Sequence, residues 1–190
     1  MKTIYPGQTI GIIGGGQLGR MMALAAKEAG FKVAVLEPKM DSPCGQIADI
    51  QIVAPYNDEA ALEELAEVSE VITYEFENID YEGLKRLTEI AYVPQGAELV
   101  KITQDRILEK RSIRAAGVPV AKFIEVQSFE ELSSNIDNIG YPCVVKTTRG
   151  GYDGKGQQIV KSKEELQLAK PLFQHSPCIA EAFVPFTKEI

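Results

Sequence analysis

The sequence is poor in the residues that build metal and disulfide sites. It holds three cysteines, Cys44, Cys143 and Cys178, and one histidine, His175. Thiols set this far apart give neither a disulfide framework nor a CxxC metal spacing, which points to a reducing compartment. His175 lies in the turn pattern Phe173-Gln174-His175-Ser176-Pro177 with no second His or Cys nearby, and reads as a surface residue. Cations are also in deficit. Against 27 Asp plus Glu stand 20 Lys plus Arg, a formal charge of −7, the wrong sign for gripping a nucleic-acid backbone but no bar to a small anion pocket. No run reaches the roughly 18 apolar residues of a membrane span, and the N-terminus MKTIYPGQTIGIIGGG lacks the apolar core and cleavage site of a signal peptide, so a soluble cytoplasmic protein is expected. Internal repeats and low-complexity tracts are missing too. Core-forming material is not: 45% of the 190 residues are hydrophobic, enough for one ordinary core or two small ones and too little for a large two-lobed enzyme.

From Thr9 to about Tyr92, short β-branched runs alternate with helical patterns, as in a parallel sheet wrapped by helices. Ile10, Ile12 and Ile13 make a buried strand that runs into Gly14, Gly15 and Gly16. Leu18, Met21, Met22, Ala25 and Ala29 then recur at helical spacing up to Gly30, which predicts a helix with that stripe, the Met21-Met22 pair included, turned inward. Val33 to Leu36, Ile50 to Val53 and Val71 to Tyr74 predict further strands. Helices are expected from Asn57 and Asp58 onward and over Asp80 to Ile90. A second organisation begins near Ala97, giving domains over 1–96 and 97–190. Its first helix spans Asp105 to Ala116, ended by Gly117 and the extended Val118-Pro119-Val120. Ser128 with Glu131, and Ser162 with Glu165, have capping-box spacing. Between those two helix starts, Cys143 to Thr147 and Gln157 to Val160 predict strands joined by a long glycine hairpin, and Ile179 to Val184 one more strand.

Two glycine loops carry the chemistry. Gly14-Gly15-Gly16-Gln17-Leu18-Gly19 fits G-x-G-x-x-G between a strand and a helix, with Glu37 at the end of the second strand. Alone it says NAD; bare N–H groups at a helix N-terminus suit a sugar phosphate equally, and the bland reading is close packing of helix on strand. The second loop, Thr147 to Gly156, holds Gly150, Gly151, Gly154 and Gly156 and is not a Walker A sequence. It would close over a ligand whose phosphates accept its N–H groups, with Lys146 supplying an ammonium at the strand end. A mobile hairpin and an edge-strand lysine are the plain alternatives. Glu181 interrupts the apolar run Ile179-Ala180-Glu181-Ala182-Phe183-Val184 and needs a partner, either the edge of a nucleotide base or a lysine of the same lobe.

Together GGGQLGRM at 14–21, YEFEN at 74–78, Asp105-Arg106, RGGYDGKGQ at 149–157 and EAFVPFTKEI at 181–190 resemble the N5-carboxyaminoimidazole ribonucleotide synthetases, a purine-biosynthetic family of the ATP-grasp superfamily. The resemblance covers the whole chain. It implies an α/β protein with a Rossmann-like parallel-sheet preATP-grasp domain followed by the small α+β lobe of an ATP-grasp domain. Such enzymes use MgATP to join bicarbonate to the amine of 5-aminoimidazole ribonucleotide through carboxyphosphate, releasing ADP and phosphate; catalysis is mainly positioning and charge neutralisation.

Carried over by motif, Arg106 and Lys146 would contact the ATP phosphates, under a lid formed by Gly151, Tyr152, Asp153, Gly154, Lys155, Gly156 and Gln157. Glu181, Ala182, Phe183 and Val184 would line the adenine strand, with Glu189 on the ribose. Gly16, Gln17, Leu18 and Glu75 would meet the aminoimidazole ribonucleotide, joined by Tyr152 and Asp153, and Asp153 is the candidate for proton handling. Glu75, Glu77 and Asp80 would alternatively be a plain acidic helix entrance. Family chains are much longer. The resemblance therefore implies that these residues alone form an inactive fragment, with the Mg²⁺ ligands and the phosphate-binding basic residues in a further lobe, and that the whole enzyme is a homodimer. An NAD-dependent oxidoreductase, a non-catalytic binding module, and other ATP-grasp ribonucleotide ligases or transformylases are the competing readings.

Overall fold

A computed structural model of the chain describes residues 2–151, 155–174 and 176–188. His175 lies outside the described residues. Two compact units divide it, Met1–Lys101 and Ile102–Ile190.

The first unit is built on alternation. Strands β1 (Thr9–Ile13), β2 (Lys32–Leu36), β3 (Ile50–Ile52) and β4 (Val71–Tyr74) form one parallel sheet in the order β3-β2-β1-β4. Successive side chains on a strand point to opposite faces, so β1 and β2 feed two cores at once. Ile13, Ala34 and Leu36 join Leu62, Leu65, Leu84 and Leu87 on one side, and Ile12, Val33 and Val35 join Ala23 and Cys44 on the other. The first face is covered by α2 (Glu59–Val68) and α3 (Tyr81–Ile90). Each opens on an aspartate: Asp58 accepts from the Ala61 N–H and Asp80 from the Gly83 N–H, satisfying donors that the helix leaves open. A short helix, α4 (Glu98–Thr103), adds Val100 to the same core.

Helix α1 (Gln17–Glu28) covers the second face, but not with the expected stripe. Leu18 and Met21 are each 56% exposed, Ala25 and Ala29 are exposed and Met22 is only half-buried, while Gly19 and Ala23 are buried. The reason is distance. A Cβ on Gly19 would lie 2.4 Å from the Gly14 carbonyl oxygen, so the helix meets the strand turn through its smallest residues and the larger apolar ones are left outside.

The second unit carries an antiparallel sheet in the order β5-β8-β6-β7, from β5 (Phe123–Val126), β6 (Cys143–Thr147), β7 (Gln157–Val160) and β8 (Cys178–Ala182). One face packs Val126, Cys143, Val145, Cys178 and Ala180 against Leu132 and Ile136, which belong to α6 (Phe129–Asn135) and the 3₁₀ turn that follows it. Ser128 caps α6 at the Glu131 N–H, and Glu131 reaches back to the Gln127 N–H. The second capping box forms only by half: Glu165 reaches back to the Lys161 N–H at 2.9 Å, but the Ser162 hydroxyl does not cap the Glu165 N–H. Ser162 gives its hydroxyl proton to Glu164, and the segment Glu164–Gln174 is a 3₁₀ helix with Pro171 inside it, where a proline removes an N–H donor. Strand β8 also ends at Ala182, two residues before the expected Val184. Across the other face lies α5 (Arg106–Ala115), capped by Asp105, followed by Gly117 at φ +81°. No described helix is long and apolar enough to cross a membrane.

Burial raises the thiols of Cys44 and Cys178 to about 11, in Cys44 with help from the Glu75 charge, and it also raises Cys143. All three are therefore protonated and shielded at pH 8, and thiolate is the reactive form. At that pH native protein should leave all three unmodified by a maleimide, as read by peptide mapping, whereas denatured protein labels at each. Rapid native labelling of any one would contradict the packing described.

Candidate functional site

The first glycine loop is already occupied by the chain itself. Gly14 N–H donates to the Leu36 carbonyl, Gly15 N–H to Glu37 Oε2 at 2.9 Å, and Gly16 N–H to Glu75 Oε1 at 3.0 Å. The Gly19 N–H donates to Glu75 Oε2. A carboxylate thus sits on the N-terminus of α1, where the exposed N–H groups and helix dipole favour an anion, and it belongs to Glu75. Gly14 permits the approach: it has φ +106°, and a Cβ there would fall 2.4 Å from Glu75 Cγ. Glu37 is buried and also accepts from the Tyr56 hydroxyl at 2.5 Å and from the Lys39 N–H. Burial first, then this bond, pushes the Tyr56 hydroxyl far above its usual range, so it remains a donor. A dinucleotide pyrophosphate brought to this loop would meet two carboxylates and no free glycine N–H, which removes the physical basis of the NAD reading. Of the residues expected on the ribonucleotide, Gly16 and Glu75 are brought into contact, while Gln17 and Leu18 open α1 and are exposed.

In the second unit the glycine loop is fastened at its root. Arg106 donates from its guanidinium to the carbonyls of Thr147 at 2.9 Å, Gly150 at 2.6 Å and Gly151 at 3.1 Å, and its N–H donates to the Thr148 carbonyl. Asp105, besides capping α5, pairs with Arg149 at 3.3 Å. At the far side of the loop the Gly156 carbonyl accepts from the Thr147 N–H. Gly151 and Gly156 both have positive φ, at +78° and +72°. Lys155 is exposed, and Gln157 opens β7 opposite Lys146 in register. Tyr152, Asp153 and Gly154, and Glu189 beyond the last strand, lie outside the described residues.

Glu181 has found lysines. Its register partner on β6 is Val144, so Lys146, two residues along, projects from the same face. Glu181 Oε2 accepts from Lys146 Nζ at 3.3 Å and forms an ion pair with Lys110 Nζ on α5 at 3.2 Å. Its other oxygen, Oε1, is buried with no hydrogen-bond partner among the described residues. Burying an acceptor without a donor is costly, which leaves one oxygen of this carboxylate open to a ligand donor. Ala182 gives its N–H to the Lys122 carbonyl and Phe183 its N–H to the Pro142 carbonyl, and the side chains of Phe183 and Val184 are partly or largely exposed. Sequence reasoning named Glu181 and Lys146 but passed over Lys110. The signal was there: Arg106, Lys110 and Arg114 recur every four residues, a cationic stripe along one face of α5.

Among the described residues no group of three or more His, Cys, Asp or Glu is arranged to hold a metal ion. The arrangement can hold a polyanion beside Lys146 and a hydrogen-bond donor at Glu181 Oε1.

Comparison with known proteins also finds two domains. A family model for the ribonucleotide synthetase preATP-grasp domain matches residues 7–104, and one for the ATP-grasp domain matches residues 111–190. The N5-carboxyaminoimidazole ribonucleotide synthase of Bacillus subtilis strain 168 is 53% identical over 189 residues, covering 100% of this chain and 50% of that protein. A solved ADP complex of an N5-carboxyaminoimidazole ribonucleotide synthetase superposes with a TM-score of 0.94 at 56% identity, over 97% of this chain and 49% of the other. The Aspergillus clavatus N5-carboxyaminoimidazole synthase in complex with ADP and 5-aminoimidazole ribonucleotide gives 0.86 at 26% identity, over 97% of this chain and 48% of that one. The chain spans about half the length of the curated relatives it matches.

Removing Glu75 should both destabilise the first unit and reopen its loop. Glu75→Ala is expected to lose about 1–3 kcal/mol, because two N–H groups lose a charged acceptor. Millimolar sulfate should then raise the melting temperature of the variant well beyond its effect on wild type. Equal shifts in the two proteins would mean that Glu75 does not hold the anion position.

Proposed function

This chain belongs to the ribonucleotide synthetase family whose preATP-grasp domain it carries, and from that premise we propose that the whole protein carboxylates 5-aminoimidazole ribonucleotide with bicarbonate and ATP, giving N5-carboxyaminoimidazole ribonucleotide, ADP and phosphate in purine biosynthesis. The chemical need for ATP follows from the electrophile. Bicarbonate is too poor an acceptor for a weakly basic amine, so its oxygen first attacks the γ-phosphorus and ADP departs. The amine nitrogen then takes the carboxyl carbon of carboxyphosphate, either directly or as released carbon dioxide; phosphate leaves and the nitrogen gives up a proton.

The observation that carries the reading is the face of the antiparallel sheet where Lys146 and the open Oε1 of Glu181 share one strand pair beside the glycine loop. On it, Lys146 would neutralise phosphoryl oxygens, with Arg106 at the loop root. Glu181, Ala182, Phe183 and Val184 would take the base, and Glu189 the ribose. The loop from Gly151 through Gly154, Lys155, Gly156 and Gln157 would cover the phosphates, with Tyr152 and Asp153 toward the amine and Asp153 receiving its proton. Gly16, Gln17, Leu18 and Glu75 would take the ribonucleotide; with Gly16 and Gly19 already bound to Glu75, this carboxylate would accept from substrate hydroxyl or amino groups. The proposal includes Mg²⁺ held by groups other than these, cytoplasmic location and a homodimer.

Lys146→Met in the intact protein should lower kcat/KM for ATP roughly a hundredfold or more. The check is phosphate release dependent on both bicarbonate and the ribonucleotide. Turnover that ignores either co-substrate, or persists in the variant, would overturn the reading.

A further inference from the structure

The third charge of the cluster is assigned no role by the proposed chemistry. Lys110 lies on α5, a helix with no buried residue. Its neighbours dock the helix by charge: Arg111 pairs with Glu125 at 2.5 Å and Arg114 stacks on the Phe123 ring at 4.6 Å, both on β5. Lys110 reaches one strand further, to Glu181 on β8, which stands in register with Phe123. Glu181 is 7% exposed, Lys110 17% and Lys146 27%. One carboxylate oxygen thus serves two ammonium groups of unequal freedom. The more exposed ammonium, Lys146, adjoins the glycine loop, whereas Lys110 is held on the helix flank away from it in sequence.

We propose that Lys110 is a positioning residue for the nucleotide site: it is the standing counter-charge of Glu181, which releases Lys146 to the phosphates while Glu181 stays fixed with Oε1 open. The inference rests on the reading of Lys146 as a phosphate ligand. Its logic is competition for one oxygen. With Lys110 in place, transfer of Lys146 to a phosphate leaves the buried carboxylate still paired. Without Lys110, the same transfer strands a buried negative charge, so Glu181 retains Lys146 and nucleotide must compete with an ion pair inside the protein. Arginine at 110 keeps the charge and restores release. Glutamine at 181 abolishes the trap, and Lys110 then has nothing left to balance.

The test uses the intact protein with ADP binding by calorimetry and steady-state kinetics. Lys110→Met should weaken ADP about tenfold and raise the KM for ATP to match, with the KM for 5-aminoimidazole ribonucleotide unchanged and kcat within about threefold. Lys110→Arg should recover most of the loss. In a Glu181→Gln background, Lys110→Met should change ADP affinity less than twofold. A structural role alone would lower thermal stability and raise both KM values without this non-additivity. If Lys110→Met misfolds by circular dichroism, Lys110→Gln takes its place in the same cycle. Unchanged ADP affinity in the Lys110 variant, or an equal loss in both backgrounds, overturns this inference alone. Failure of wild type to bind ADP overturns it together with the nucleotide reading.

Discussion

A carboxylate drawn wholly or partly out of water must meet positive charge or hydrogen-bond donors, and the layout of both units follows from how three such carboxylates are answered. Glu37 and Glu75 are answered by the backbone of a glycine turn, so the turn must be tight, the helix after it must sit close, and the residues at the contact must be small. Glu181 is answered by two lysines from different elements, so α5 must lie across the sheet and β6 must present Lys146 on the same face. These are demands of electrostatics in a medium less polar than water, and packing is arranged around them.

What could be read in the sequence was what neighbours in the chain decide. Asp58 and Asp80 cap their helices, Ser128 caps α6, and apolar runs such as Ile12-Ile13 and Val33 to Leu36, alternating with helical patterns, foretell a parallel sheet wrapped by helices. The misreadings arise where three-dimensional approach, close in the chain or distant, overrides the local pattern. Apolar periodicity placed Leu18 and Met21 inward, but the approach of Gly19 to Gly14 decided which side of α1 faces the strand. The G-x-G-x-x-G pattern promised an external anion, yet its acceptor comes from 59 residues away. Lys110 escaped because a cation on a charged helix looks like a solvated face until the sheet beneath it is known. Glu181 was legible for the opposite reason: a charge inside an apolar strand announces that something distant must pair with it.

The two glycine loops show how little a motif says without its surroundings. Each holds glycine at positive φ beside a strand end, and the second has a lysine, Lys146, on the strand that leads into it, held there by Glu181. The first has been closed from within by acids. Its amide hydrogens are taken by carboxylates of the chain itself, so a glycine motif of this form does not by itself present free donors.

Helix α5 is attached along its length by contacts of unequal accessibility. Its first turn is tied to loop carbonyls by Arg106 and its middle to a shielded carboxylate by Lys110, whereas Arg111 is largely exposed where it meets the half-buried Glu125. Dissolved electrolyte screens the outer pair strongly and the sheltered one weakly. Rising ionic strength would therefore loosen the C-terminal turns of this helix first, and the end that borders the glycine loop would keep its grip in brine.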